Sequence, residues 1–267
     1  MEHISLEEYG DIRPCEVQMR SDIGGREEQQ DSGYAYTDPS VTFSIICDGM
    51  GGAACGAQAS ALAVESMRQM LESYLAGEAD CSVTEFLLEA VSELDMRVTH
   101  ELGKYKSGTT AVAVFIQDQK LFWFSVGDSR LYIFRNGDLV QATRDHNYFL
   151  RLREELESGE ITPEQFRQES ERGEALISFL GIGGLSVYDL TNTPLNLREG
   201  DILLLTTDGL YKALPEEMIC HILRGAESLS EKADKLMSQI NVLKNSIVLD
   251  NTTFALIKIN ARGNPNE

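Results

Sequence analysis

The amino-acid sequence predicts an α+β domain in which antiparallel β-sheets are covered on the outside by helices. Apolar residues follow the three-and-four spacing of helices in two successive segments between residues 59 and 98, and they switch to strand-like runs from residue 110 onwards. Asn136-Gly137 lies between two such runs and is a strong hairpin signal, which indicates antiparallel strands. The length of 267 residues is sufficient for a sizeable core.

The predicted elements follow one another without a β-α-β alternation. Strands are predicted at residues 15–21 and 41–47, and the second ends at the glycine-rich segment Asp48-Gly-Met-Gly-Gly52. Two consecutive helices follow, at 59–74 and 83–98. The remaining strands are predicted at 110–116, 121–126, 131–135, 139–142, 187–191, 201–207 and 252–259. Residues 147–175 are charged and predicted to be helical, and two later helices are predicted at 216–223 and 230–243.

Composition and charge exclude several classes of protein. Hydrophobic residues make up 42% and charged residues 25%, which is typical of a globular chain. The formal net charge of -20 disfavours binding to nucleic acids and anionic membranes. Five cysteines without a C-x-x-C pair disfavour a disulfide framework or a zinc finger. No signal peptide and no apolar run of about 20 residues is visible, so a cytoplasmic location is expected. We expect one domain at residues 1–262 and a loose tail at 263–267.

Four aspartates share one sequence context, because each lies at the end of a strongly apolar segment. They are Asp48, Asp128, Asp208 and Asp250. A strand end at the rim of a core is held rigidly, and four carboxylates at one rim would need compensating positive charge. Carboxylate oxygens suit the hard cations Mg²⁺ and Mn²⁺. An aspartate at a strand end also commonly caps a turn or the next helix, but glycine beside three of the four favours a shared site.

Arg26 lies in an acidic, glycine-containing loop, and its context admits two interpretations. A single arginine in such a loop is most often part of a surface ion pair, which contributes little to stability. Next to a metal cluster, its planar guanidinium could instead hold a phosphoryl group through two parallel hydrogen bonds.

Seven segments together resemble the metal-dependent protein phosphatases of type 2C (the PPM family) in their bacterial form. They occur in the family's order and span residues 21–259. The segments are Ser21-Asp-Ile-Gly-Gly-Arg-Glu-Glu-Gln-Gln-Asp31, Asp48-Gly-Met-Gly-Gly52, Ser107-Gly-Thr-Thr110, Val126-Gly-Asp-Ser-Arg-Leu-Tyr132, Thr143-Arg-Asp-His-Asn147, Thr206-Thr-Asp-Gly-Leu210 and Asp250-Asn-Thr-Thr253. Each segment alone is weak evidence, whereas seven in register are specific.

The resemblance implies a four-layer α-β-β-α sandwich, with two antiparallel β-sheets flanked by helix pairs and a metal centre at one edge. It implies two Mn²⁺ or Mg²⁺ ions and a third, weaker site. By the same resemblance, Asp48 would bridge both ions, the Gly49 carbonyl would ligate one of them, and Asp208 and Asp250 would bind the other. Asp128 and Asp208 would form the third site. Arg26 would bind the substrate phosphate, and Asp31 would support metal-bound water.

Two positions depart from the family pattern. Gln30 stands where the family usually has an acidic residue, so a weaker, uncharged ligand is expected there. Met50 stands where animal members have a histidine proposed as general acid. Two proton donors therefore remain possible, a metal-bound water and Asp128.

Residues 147–179 occupy the position of the family's flap. Such a segment beside the centre could select substrates or gate access. Its glutamate and arginine content equally fits a solvated pair of helices without a role in the reaction.

The resemblance implies hydrolysis of phosphoserine and phosphothreonine in proteins, by direct attack of a metal-bridging hydroxide. The implied partners are phosphorylated proteins, including those modified by a Ser/Thr kinase. One alternative is a weak or inactive member that binds phosphoproteins as a regulatory module, which Gln30 alone favours. A dinucleotide-binding protein is a second alternative, because Gly49, Gly51 and Ala54 fit a G-x-G-x-x-A pattern.

Overall fold

The computed structural model describes residues 14–51, 55–244 and 246–261. Within these residues the strands are β1 Cys15–Asp22, β2 Asp31–Thr37, β3 Val41–Met50, β4 Gly108–Thr109, β5 Ala111–Gln117, β6 Lys120–Val126, β7 Arg130–Arg135, β8 Asp138–Gln141, β9 Asp189–Leu190, β10 Leu195–Asn196, β11 Ile202–Thr206 and β12 Thr252–Ile259. The helices are α1 Cys55–Leu75, α2 Val83–Leu102, α3 Tyr148–Glu157, α4 Pro163–Glu169, α5 Asp208–Tyr211, α6 Glu216–Arg224 and α7 Leu229–Leu243. The predicted tail at 263–267 and the predicted loop residue Gly52 lie outside the described residues.

The strands form two sheets, and every pairing is antiparallel, as predicted. The first sheet has the order β1-β12-β11-β7-β8, and the second has the order β10-β6-β5-β3-β2 with β4 and β9 attached to β3 and β6. Helices α1 and α2 cover the second sheet, and α6 and α7 cover the first. The four-layer α-β-β-α arrangement is thereby confirmed.

The central strands are apolar on both faces because each face contacts a different layer. In β3, Phe43 and Ile45 point towards α1 and α2, whereas Ile46 points between the two sheets. In β12, Phe254 packs with the helices on the first sheet, and Ala255 packs between the sheets. Successive side chains of a strand alternate in this way, which explains the nearly continuous apolar runs.

The predicted hairpin is present between β7 and β8. Arg135 pairs with Asp138 across the turn, and both central residues have positive φ, 55° at Asn136 and 90° at Gly137. These are the conformations of a type I′ turn, whose twist matches that of the strands it joins.

The strand predictions differ from the structure at β2 and β9, and the short strands β4 and β10 were not predicted. No strand was predicted at 31–37, where β2 forms the edge of the second sheet beside β3. Its residues are mostly half-buried and include Gly33, so the apolar alternation is weak. The predicted strand at 187–191 is wrong in extent, because only Asp189–Leu190 pairs with β6.

A buried carboxylate on α2 fixes the segment that follows the 147–179 insert. Asp95 accepts backbone hydrogen bonds from Gly181 at 2.8 Å, Gly184 at 3.1 Å and Leu185 at 3.2 Å. Leu180, which directly precedes Gly181, pairs with Thr109 through two backbone hydrogen bonds. The insert is therefore anchored at its C-terminal end to the layer of α1 and α2.

No helix of the described segments is long and apolar enough to cross a membrane. The dinucleotide-binding alternative is wrong, because α1 is followed by α2 and not by a parallel strand, and Gly49 is paired with Thr109 inside a sheet.

Candidate metal centre and active site

The four strand-end aspartates meet at one edge of the sandwich. A cavity of about 500 Å³ is lined by residues from distant parts of the chain. Of the predicted site residues, the lining contains Arg26, Gln30, Asp48, Gly49, Asp128, Asp208 and Asp250. Asp31 lies behind this cavity, and one of its carboxylate oxygens accepts a hydrogen bond from the Thr207 hydroxyl at 2.9 Å.

The backbone of Asp48 is held from several directions at the end of β3. Its N–H donates to Thr110 Oγ1 at 3.0 Å, and its carbonyl accepts from Thr109 Oγ1 at 2.8 Å. At the next residue only glycine fits, since a Cβ on Gly49 would lie 2.0 Å from the Gly56 carbonyl oxygen. The Gly49 N–H donates to the Gln30 carbonyl at 3.0 Å. The sequence Asp48-Gly49 therefore fits a crowded, fixed corner.

Burial and mutual repulsion raise the pKa of several of these carboxyls. Asp31 is 6% exposed and stands opposite Asp48 in the β2–β3 pair. Burial, with the charges of Asp208 and Asp250, raises the Asp31 pKa to about 7. Burial and the neighbouring aspartates raise the Asp48 pKa well above its usual value. Burial and Asp208 raise the Asp128 pKa to about 6.

This arrangement fits divalent cations. The buried oxygens Asp31 Oδ1 and Asp208 Oδ1 have no hydrogen-bond partner within the described segments, and a buried carboxylate oxygen without a partner is unfavourable unless positive charge is near. All-oxygen ligands suit Mg²⁺ and Mn²⁺. Across residues 14–51, 55–244 and 246–261, no three carboxylate, imidazole or thiolate groups are close enough to bind one ion by themselves. The Gly49 carbonyl, which belongs to a residue of the lining, and water are candidates to complete a ligand set there.

Arg26 is held at the mouth of the same cavity. Its Nη2 lies 2.6 Å from Asp250 Oδ2, and both side chains are partly exposed, at 56% and 42%. Asn251 organises the loop that carries Arg26, because its amide donates to the Ile23 carbonyl at 2.8 Å and accepts from the Gln30 N–H at 2.8 Å.

Two charged residues at the site, Lys212 and Glu174, are not among those predicted from the sequence. Lys212 places its ammonium 2.9 Å from Asp208 Oδ2 and 3.4 Å from Glu174 Oε2. Burial opposes the Lys212 charge, but Asp208 outweighs it and the pKa of Lys212 rises above its usual value. The spacing of four residues from Asp208 could have indicated Lys212. No local signal indicated Glu174, which belongs to the insert.

The insert itself contributes to the wall of the site. Glu174, Leu176 and Phe179 line the cavity together with Asp128 and Lys212. The segment predicted as a flap is therefore adjacent to the predicted metal ligands.

Comparison with known proteins identifies the class. The family model of protein phosphatase 2C matches residues 13–173. The Serine/threonine phosphatase stp of Listeria welshimeri is 30% identical over 250 residues, which cover 91% of this chain and 96% of that protein. The structure of the S. agalactiae serine/threonine phosphatase aligns with a TM-score of 0.73 at 30% identity, covering 92% of this chain and 99% of that one. The catalytic domain of the serine/threonine protein phosphatase PstP, in complex with two manganese ions, aligns with a TM-score of 0.70 at 25% identity, covering 92% and 99%.

The chain belongs to the protein phosphatase 2C family. It is a protein phosphatase of the form found in bacteria, as the sequence resemblance implied.

Proposed function

We propose that this phosphatase hydrolyses phosphoserine and phosphothreonine in proteins at the cavity lined by Asp48, Asp208 and Asp250. The observation that carries this proposal is their convergence with Arg26 at one edge of the sandwich. Residues separated by more than 200 positions in the sequence share one small, strongly acidic space, and this arrangement fits cation-assisted phosphate chemistry.

The proposed ligands follow from the geometry and from the donor set. Asp48 and the Gly49 carbonyl would hold one divalent ion, and Asp208 with Asp250 would hold the other. Asp128 with Asp208 would provide the weaker third site. Gln30 would contribute at most an uncharged oxygen ligand, and Asp31 would support metal-bound water from behind the cavity. When bound, Mg²⁺ or Mn²⁺ would activate water and neutralise the phosphoryl oxygens.

The remaining steps involve the chain's own side chains. Arg26 would exchange its contact with Asp250 for the substrate phosphate, which its planar donors fit well. Asp128 is a candidate proton donor to the departing serine or threonine oxygen, because its carboxyl lines the same cavity beside Asp208. The insert, through Glu174 and Phe179, would act as a flap that shapes access to the cavity.

The substrates we propose are cytoplasmic phosphoproteins, including those modified by a Ser/Thr kinase. The relatives named as serine/threonine phosphatases support this proposal. They do not favour a non-catalytic module that only binds phosphoproteins.

The proposal is tested with purified protein, Mn²⁺ and two substrates, p-nitrophenyl phosphate and a phosphothreonine peptide. Both should be hydrolysed, and EDTA should abolish turnover. Asp208→Asn should lower kcat at least about a hundredfold, because it removes a ligand charge from the cavity. Asp138→Asn makes the same chemical change in the exposed β7–β8 hairpin and should leave kcat unchanged. Full activity of Asp208→Asn would refute the site assignment, and peptide binding without turnover in the parent chain would support the non-catalytic alternative.

A further inference from the structure

A second cavity of about 630 Å³ adjoins the candidate active site. Asp128, Glu174 and Lys212 line both spaces, so a peptide whose phosphate sits in the first could extend into the second. The second cavity lies between the insert, including α3, and the segment that follows β8.

The lining of this second cavity carries a small excess of positive charge, whereas the chain as a whole is acidic. It contains four basic residues, Arg130, Arg144, Arg153 and Lys212, against the three acidic residues Asp128, Asp145 and Glu174. The chain has 43 acidic and 23 basic residues, so a lining in which basic residues outnumber acidic ones differs from its composition.

Three of the four cations already have carboxylate partners. Arg130 forms two hydrogen bonds with Asp145, at 2.9 and 2.7 Å. Arg144 binds Asp189 through Nε and Nη2, at 2.9 and 2.7 Å. Lys212 contacts Asp208. The fourth basic residue, Arg153, is therefore the one to consider as a contact for a bound substrate group.

Arg153 is exposed on α3 and forms no ion pair within the described segments of the chain. Its guanidinium lies 6.0 Å from the centre of the Phe149 ring, one helical turn earlier. Phe149 is itself fixed, since its N–H donates to the Gly173 carbonyl at 2.8 Å and its ring lies 6.4 Å from that of Phe166. Arg153 therefore lies beside a fixed aromatic ring, and its guanidinium N–H groups are available to donate hydrogen bonds to a ligand.

We infer that this cavity binds a carboxylate side chain of the phosphoprotein substrate, close in sequence to the phosphorylated residue, and that Arg153 is its main contact. This inference rests on the proposed function of the adjoining site. The lining's small excess of positive charge suits a singly charged carboxylate better than a second phosphate dianion. Elsewhere the acidic surface repels such a peptide, so the preference would arise at this cavity.

The test compares phosphothreonine peptides that differ at one position. Aspartate, asparagine or lysine is placed in turn at each of four positions on either side of the phosphothreonine, and kcat/KM is measured with Mn²⁺. At the position that reaches the cavity, aspartate should exceed asparagine by about tenfold, mainly through KM, because a charge-assisted hydrogen bond to bound substrate is gained. Arg153→Gln should remove this preference and leave hydrolysis of p-nitrophenyl phosphate unchanged, since that substrate is too small to reach the cavity.

Arg151→Gln is the matched control, because Arg151 lies on the same helix but pairs with Glu155 and does not line the cavity. It should retain the preference. Binding of labelled peptides, followed by fluorescence anisotropy, reports the same preference independently of turnover. Equal kcat/KM and equal binding for aspartate and asparagine at every position would overturn the inference even if p-nitrophenyl phosphate is hydrolysed. Failure to hydrolyse any substrate would refute the proposed function, and anisotropy would still decide the inference.

Discussion

Replacing Asp31 with asparagine should stabilise the metal-free protein at alkaline pH. The Asp31 pKa rises from its ordinary value of 3.8 to about 7 in the folded chain. Because the folded-state pKa is the higher one, the folded chain keeps a proton between about pH 4 and pH 7 that the unfolded chain has released. The free energy of unfolding therefore falls as pH rises through this window and levels off above about pH 7.

The size of this effect follows from the pKa values. One pKa unit corresponds to about 1.4 kcal/mol, so ionised Asp31 destabilises the metal-free fold by up to about 4 kcal/mol at pH 8. Asp48 repels Asp31 and shares this titration, which makes the figure an upper limit. Asparagine has nearly the same shape, can still accept the hydrogen bond from Thr207, and does not ionise.

The assay is urea unfolding in EDTA at pH 4.5, 6, 7 and 8. Asp31→Asn should match the parent chain at the lowest pH and exceed its free energy of unfolding by about 2–4 kcal/mol at pH 8. Glu89→Gln, on the exposed face of α2, changes the net charge equally and should follow the parent chain. With Mn²⁺ present the advantage of Asp31→Asn should disappear, because bound cations compensate the carboxylate. Parallel stability curves for the parent chain and Asp31→Asn in EDTA would refute the reasoning.

Two further outcomes are expected. Lys212→Met should increase Mn²⁺ affinity about fivefold in calorimetric titration. The reason is that the partly exposed Lys212 ammonium competes with the ion for Asp208, and its ion pair with Asp208 is worth roughly 1 kcal/mol. Unchanged or weaker Mn²⁺ binding would contradict that competition. Asp95→Asn should lower the free energy of unfolding by about 2 kcal/mol in urea, because its amide presents N–H groups to backbone donors that now contact a carboxylate. Hydrogen exchange at Gly181 and Leu185 should accelerate in that variant, and unchanged exchange there would argue against the anchoring role.

The sequence predicted the layers well because the central strands contact a different layer on each face. The apolar runs around Ile46 and Phe254 could be recognised without knowing which strands pair. β2 could not be recognised, because an edge strand with half-buried residues and Gly33 has little apolar alternation. Its existence depends on pairing with β3, which is a tertiary contact.

The same distinction applies to the site. Asp48 and Asp208 could be predicted because a chain-local pattern, an apolar strand followed by aspartate and glycine, places each of them. Glu174 and Arg153 could not, because they reach the site through the packing of the 147–179 insert. Nothing in the local sequence specifies how that insert is oriented.

The position of β12 inside the first sheet has a consequence for biosynthesis. Among the described strands this one comes last in the sequence, yet it lies between β1 and β11, and Asp250 and Asn251 immediately precede it. A nascent chain still attached to the ribosome before this segment emerges lacks both the strand that joins the sheet and the residue that clamps the Arg26 loop. Catalytic competence should therefore appear abruptly, only once Asp250, Asn251 and β12 have been synthesised, and fragments that end before them should be inert.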